Sequence, residues 1–297
     1  MIDQQRIFMI ERAPRRLLVT GAAGMLGRDL VETASASGFT VFAADRDTLN
    51  ISDLNACVEA VAGFDAVLNA AASTRVDDAE EHESDAYLVN AAGAANLARA
   101  ARAAGAVLVQ YSTDYVFSGQ SPSPWPESAP LEPINAYGRT KAAGEQLARE
   151  AHPEGTIILR TAWLYATHGS NFVRTMTRLY RERGTLTVVD DQYGQPTWTR
   201  DLAEQTARLL ATGTRSGIFH GTNSGSTTWF GFARAIVENL GGDPADVHPT
   251  TSDAFPRPAQ RPAYSVLGHD AWRTVGLEPM RPWREALDEA MAEGVTA

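Results

Sequence analysis

Short apolar runs and longer amphipathic stretches take turns along the first half of this chain. Leu17-Leu18-Val19, within Arg15 to Thr20, leads into a glycine turn and then into a helical pattern that starts near Met25 and continues through Leu30 and Val31. Phe39 to Asp45 (FTVFAAD), Asp65 to Ala72 (DAVLNAAA) and Ala106 to Tyr111 (AVLVQY) repeat the apolar run. Runs of this kind predict buried strands, and the segments between them, notably the alanine-rich Ala91 to Ala104, predict helices. Strand and helix in alternation imply an α/β fold, a parallel sheet doubly wound with helices on both faces. Thr156 to Leu164 (TIILRTAWL) and Thr185 to Asp190 (TLTVVD) are later strands in the same reading.

The pattern breaks at Ser118 to Pro133, where Pro122, Pro124, Pro126, Pro130 and Pro133 predict an irregular loop. The last third is richer in Pro, Trp and Thr, which predicts a smaller lobe. The division expected is a loose tail at 1–14, a main α/β domain at 15–165 to which 201–222 returns, and a lobe made of 166–200 and 223–297. No internal repeat or heptad interrupts this scheme.

Composition narrows the function classes. A formal net charge of −10 over 297 residues argues against nucleic-acid or acidic-membrane binding, which need a basic surface. Cys57 is the only cysteine, so an intramolecular disulfide and a thiolate metal cluster are both excluded and a reducing, cytoplasmic setting is expected. No apolar run reaches the length of a membrane span, and Met1 to Pro14 is too mixed for a secretory signal. The acidic run Asp77 to Asp85 reads as a solvated helix start, favoured by the helix dipole, rather than a metal site. The histidines are scattered, with no HExxH spacing, and no GxSxG elbow is present. Trp163, Trp198 and Trp229 read first as packing residues.

Three segments carry chemistry. Gly21, Gly24 and Gly27 follow the first strand and open a helix. That context lets the backbone, with Met25 and Leu26, approach a pyrophosphate at a helix N-terminus, so the sheet is read as a Rossmann-type dinucleotide fold. Asp45 closes the second strand, where a carboxylate accepts a ribose hydroxyl. Arg46 beside it suits a 2′-phosphate, so NADH and NADPH both stay open. Thr113 lies at the carboxyl end of a strand, where its hydroxyl either binds a reacting carbonyl oxygen or caps the following turn. Tyr137 and Lys141, four residues apart, share one helix face. A phenol beside an ammonium is a proton donor with a tuned pKa, although the same spacing also serves ordinary amphipathic contacts.

Taken together these segments make the chain resemble the extended short-chain dehydrogenase/reductase superfamily. Within it the likeness is to the dTDP-4-dehydrorhamnose reductase family, through GAAGMLG, LVNAAGAANLA, STDYVFSG, AYGRTKAAGE, RTAWLY, NFVRTM, VVDDQYGQPTW and RPAYSVL. The resemblance covers nearly the whole chain after the tail. It implies reduction of the C4 ketone of a dTDP-linked 4-keto-6-deoxyhexose by NADPH or NADH. Tyr137 would donate the proton, Lys141 would lower its pKa and hold the nicotinamide ribose, and Thr113 would bind the carbonyl oxygen. Asn69, Ala70, Ala71 and Ala72 would line the cofactor, and Val76, Asp114, Trp163, Asn171 and Arg261 the sugar nucleotide in the smaller lobe. Related dehydratases carry Thr-Asp-Glu, where this chain has Tyr115 third, so their elimination base is missing. Ser73 and Arg75 depart from the reductase pattern beside the expected sugar pocket and leave room for a related deoxysugar, such as a dihydrostreptose. Some relatives share a magnesium ion between subunits. Asp29 and Arg200 stand where two of its ligands would be, and an arginine cannot coordinate a cation, so no structural metal is expected. The chain would be a monomer or a homodimer. A non-catalytic nucleotide-binding subunit, an epimerase and a dehydratase are the alternatives.

Overall fold

A computed structural model describes residues 15–296; the tail assigned to 1–14 lies outside the described residues. Strands β1 (Arg16–Thr20), β2 (Thr40–Ala44), β3 (Ala66–Asn69), β4 (Val107–Thr113) and β5 (Thr156–Thr161) are joined by helices α1 (Met25–Ala36), α2 (Leu54–Val61), α3 (Glu83–Tyr87), α4 (Ala94–Ala104) and α5 (Ala136–Ala151). The short β6 (Leu164–Tyr165), helix α6 (Phe172–Arg183), strands β7 (Leu186–Val189), β8 (Tyr193–Gly194) and β9 (Thr197–Trp198), and helix α7 (Thr199–Ala211) follow. The chain ends with β10 (Gly217–His220), β11 (Thr227–Thr228), α8 (Trp229–Asn239), β12 (Val247–Thr250), α9 (Ala271–Thr274) and α10 (Trp283–Ala292).

Six strands form one parallel sheet in the order β10-β5-β4-β3-β1-β2. The period-two alternation of strand side chains divides its core into two halves. Leu17 and Val19 of β1, with Val107 and Val109 of β4, face Leu26 and Leu30 of α1 and Leu202 and Leu209 of α7. Leu18, Val67 and Leu108 face the other way, onto Val61, Leu97 and Ala148. After β1 the chain moves to β2 on one side and then to β3 on the other, which opens a crevice at the carboxyl ends of β1 and β3, the usual ligand position of such sheets. A separate apolar cluster, including Tyr165, Trp198, Phe232 and Leu287, sits beside the sheet. Asp53 caps α2, Asn135 caps α5 and Thr228 caps α8, each accepting backbone N–H groups of the first turn.

Several strand and helix expectations change in detail. Phe39 to Asp45 was expected to be buried, but β2 is the sheet edge and Phe42 is 45% exposed; an edge strand has a neighbour on one side only. The strand expected over Asp65 to Ala72 stops at Asn69, because the chain turns there into the crevice. Thr156 to Leu164 is two strands, broken at Trp163, whose φ of +46° is left-handed. The helix expected from Ala91 to Ala104 is entered through a wider π-turn at Leu88–Gly93. The acidic run is not simply solvated: Asp77 pairs with Arg261, Glu80 accepts from Ala136 N at 2.8 Å, and Glu83 pairs with Arg139. Among the described residues no helix is long and apolar enough to cross a membrane, and no group of three or more His, Cys, Asp or Glu gathers to hold a metal.

Candidate active site

The crevice is a cavity of about 490 Å³ walled by the glycine turn on one side and by the ends of β4 and α5 on the other. Gly21 adopts a φ of +66°, and a Cβ there would lie 2.6 Å from Ala71 N, so only glycine lets the turn close onto the end of β3. Helix α1 then starts without a side-chain cap and without an acidic residue in its first turn. Its N-terminal Gly24, Met25, Leu26 and Gly27 face the cavity, so the partial positive charge of the helix end is open to an anion. Asn69 is fixed from both sides, accepting from Thr20 at 2.6 Å and donating to Gln110 at 2.6 Å. These groups fit a dinucleotide pyrophosphate.

Opposite the turn, α5 presents Tyr137 and Lys141 to the same cavity as Thr113 and Asp114. The Lys141 ammonium is 5% exposed and donates to the Tyr111 carbonyl at 2.7 Å. Burial brings its pKa down to about 8, against the opposing charge of Glu145. Tyr137 is pushed up to about 12 by burial and by the charge of Asp114, with the Thr113 hydroxyl acting the other way. In this arrangement desolvation dominates the phenol, and the Lys141 ammonium is turned to a backbone carbonyl. Asp114 is raised to about 6, chiefly by burial and despite its hydrogen bonds. Of the two readings its sequence left open, Thr113 shows the turn cap: its hydroxyl accepts from Tyr115 N at 3.2 Å and donates to Asp114 at 3.0 Å, and the residue lines the cavity.

Ser112 Oγ, Asp114 Oδ2 and Thr161 Oγ1 are buried without a hydrogen-bond partner, and all three residues line this cavity. Buried polar atoms are normally satisfied, so this wall is shaped for a polar ligand. Val76, Trp163, Ala70 and Ala72 are also at the wall, as expected. A second cavity of about 910 Å³ adjoins it, sharing Tyr115 and Trp229, and receives Arg183, Arg257 and Arg261. Arg261 is held bidentately by Asp77 at 2.8 and 3.0 Å.

Other expected residues are placed elsewhere. Asn171 does not reach either cavity wall: its amide caps α6 by accepting from Arg174 N and donates to Ala166 O. Gly21 and Ala71 make the turn behind the wall. Asp45 spends one carboxylate oxygen on Asp47 N, Thr48 N and the Thr48 hydroxyl, and Arg46 is exposed outside the cavity. Ser73 and Arg75 do not border the sugar pocket. Ser73 is tied through its backbone to Asn90, and the Arg75 side chain is 81% exposed and paired with Asp78. Asp29 is bonded by Thr199, and Arg200 pairs with Glu293. Thr74, Ser112, Thr161 and Trp229 are wall residues the sequence did not single out for ligand contact; for Ser112 the strand-end position beside Thr113 was a usable signal.

Comparison with known proteins agrees with this geometry. Residues 15–295 match the family described as RmlD substrate binding domain. A dTDP-4-keto-6-deoxy-D-glucose reductase of Streptomyces niveus is 51% identical over 93% of this chain and 96% of its own. A dTDP-4-dehydrorhamnose reductase of Streptomyces griseus is 50% identical over 93% and 92%. The crystal structure of dTDP-4-dehydrorhamnose reductase from Bacillus anthracis in complex with NADP superposes with a TM-score of 0.90 at 38% identity, covering 94% of this chain and 99% of that one. With its glycine turn, Thr113 and Tyr137/Lys141 in one crevice and its likeness end to end, this chain belongs to the RmlD substrate binding domain family, that of the dTDP-4-dehydrorhamnose reductases.

Proposed function

We propose that this chain reduces the C4 ketone of a dTDP-linked 4-keto-6-deoxyhexose with NADPH or NADH. The observation that carries the reading is the convergence of Thr113, Tyr137 and Lys141 with three unpartnered buried oxygens on one cavity wall. Gly24 to Gly27 would hold a nicotinamide cofactor, whose chemistry when bound would be hydride donation. The chain's own residues handle the oxygen. Thr113 donates to the ketone as negative charge develops on it, and Tyr137 delivers the proton to that oxygen. The high pKa that burial gives the phenol keeps its proton in place until an alkoxide, a stronger base, forms beside it. Lys141, fixed on Tyr111 O, holds the cofactor ribose, and its charge stabilises the phenolate left after transfer.

The adjoining cavity suits the nucleotide half of the substrate, and Arg257 and Arg261 on its wall would supply positive charge for its diphosphate. Tyr115 fills the position of the dehydratase glutamate, which favours reduction over elimination. The two Streptomyces relatives are named for different ketosugars, so the substrate is taken as the shared chemistry, a dTDP-4-keto-6-deoxyhexose, with dTDP-rhamnose or a related deoxysugar as product. We place the reaction in the cytoplasm, with a monomer or homodimer as the working unit. Cofactor oxidation against a panel of dTDP-4-ketosugars tests the reading. Tyr137→Phe should lose on the order of 10²–10⁴-fold in turnover while keeping cofactor affinity. Wild-type silence across the panel would overturn it.

A further inference from the structure

Trp163 is the one non-glycine residue with a left-handed φ among the described residues, at +46°. A bulky side chain in that region is strained, and such strain persists only where the surroundings over-determine it. Here three contacts do so. The Trp163 indole stacks on Trp229 with ring centroids 3.6 Å apart and planes 12° from parallel. Its carbonyl accepts from Thr197 N at 3.2 Å. Its Nε1–Cε2–Cζ2 edge, where the two rings join, rests on Gly194, and a Cβ there would lie 2.8 Å from the indole nitrogen and closer still to Cε2 and Cζ2.

Gly194 and Trp229 are brought to one place by a two-residue antiparallel pair, in which Thr227 opposes Gly194 and Thr228 opposes Tyr193. Thr228 caps α8 and donates to Asp190 at 2.6 Å, which fixes Trp229 as the first residue of that helix. Phe172 leans on Trp229 from the lobe core at 4.6 Å. Both indoles remain half-buried. Trp163 faces the cavity of Tyr137, and Trp229 faces that cavity and its neighbour.

We propose that Trp229, together with Gly194, is a positioning device: it holds Trp163 in its strained conformation, and the stacked pair forms a rigid partition where the two cavities adjoin. The partition sets how far the ketose ring enters towards Thr113 and Tyr137 while the nucleotide stays in the adjoining cavity. This rests on the ketoreductase reading above. Holding reactants in register contributes to turnover more than to affinity, so the device has a kinetic signature distinct from a simple binding contact.

The test uses the full chain and Trp229→Ala, Trp229→Phe and Gly194→Ala, the last moving Trp163 with Trp229 left in place. In wild type the stacked indoles should give an exciton couplet in far-ultraviolet circular dichroism. Trp229→Ala and Gly194→Ala should lose or weaken it. Both should lower kcat by about tenfold or more with a dTDP-4-ketosugar and NADPH, while calorimetric Kd values for dTDP alone and for NADPH stay within about threefold. Trp229→Phe, which keeps an aromatic face, should recover kcat to within about threefold of wild type. A folded Trp229→Ala or Gly194→Ala protein that lacks the couplet yet keeps kcat overturns the proposal. So does a loss of dTDP binding as large as the loss of kcat. If Trp229→Ala does not fold, the same criteria apply to Gly194→Ala. An inactive wild type overturns the ketoreductase reading itself; an active wild type with indifferent variants overturns only the partition.

Discussion

Asp114 and Lys141 are both buried ionisable groups, and burial moves their pKa values in opposite directions. Asp114 is raised from the ordinary carboxylate value to about 6. A raised carboxyl adds stability that is complete below its unfolded pKa and is lost as pH rises through the folded one. Above pH 6 its buried charge is therefore a cost, of roughly 2–3 kcal/mol. Asp114→Asn is expected to raise the urea midpoint at pH 8 and to leave it nearly unchanged at pH 3.5, a difference read directly from two denaturation curves. Lys141 is lowered to about 8, so its ammonium is present below that pH and fades above it. Turnover should fall as pH passes through about 8. Lys141→Met should run on the order of a hundredfold slower, with that alkaline limb gone from its pH–rate profile. At the opposite end of the cofactor site Arg46→Ala should raise the KM for NADPH about five- to tenfold and leave NADH nearly unchanged, if the guanidinium holds a 2′-phosphate.

Helix α5 delivers both catalytic candidates, and one turn beyond Lys141, on the same face, it is anchored to β5 by a buried ion pair. Arg160 and Glu145 are 2% and 3% exposed and 2.7 Å apart, with further bonds through Arg160 Nε. The Arg160 guanidinium also lies over Phe117 and meets His220, whose pKa burial lowers to about 3. Removing one partner leaves an uncompensated buried charge. Arg160→Leu should accordingly cost about 3–5 kcal/mol in urea unfolding, and the double variant with Glu145→Leu should recover much of that. Elements of this kind were largely readable from periodicity. The first five strands of the sheet and the helices α1, α4 and α5 fall where the apolar runs and amphipathic stretches predict them, whereas β10 is not singled out as a strand. The exceptions have local physical causes that a pattern of residue types does not carry: β2 has a neighbour on one side only, Trp163 breaks a continuous apolar run by its backbone conformation, and the π-turn at Leu88–Gly93 changes no hydrophobic period.

Across the whole molecule, two cavities meeting at Tyr115 and Trp229 predict two ligands that stabilise the same fold. Saturating NADPH and dTDP should each raise the melting temperature, and together by more than either alone. At a hundredfold excess over Kd each contributes about 2.7 kcal/mol, which a thermal-shift titration resolves. The glycine turn, the helix start behind it and the Tyr137/Lys141 pair could be read from the chain because each is a local arrangement, set by spacing along a single turn or helix. The pKa of Tyr137, the diversion of Asn171 to a helix cap, the outward turn of Arg75 and the arrival of Thr161 and Trp229 at the cavity could not. These depend on desolvation and on contacts between segments far apart in sequence, and such contacts exist only once the sheet has closed against its lobe.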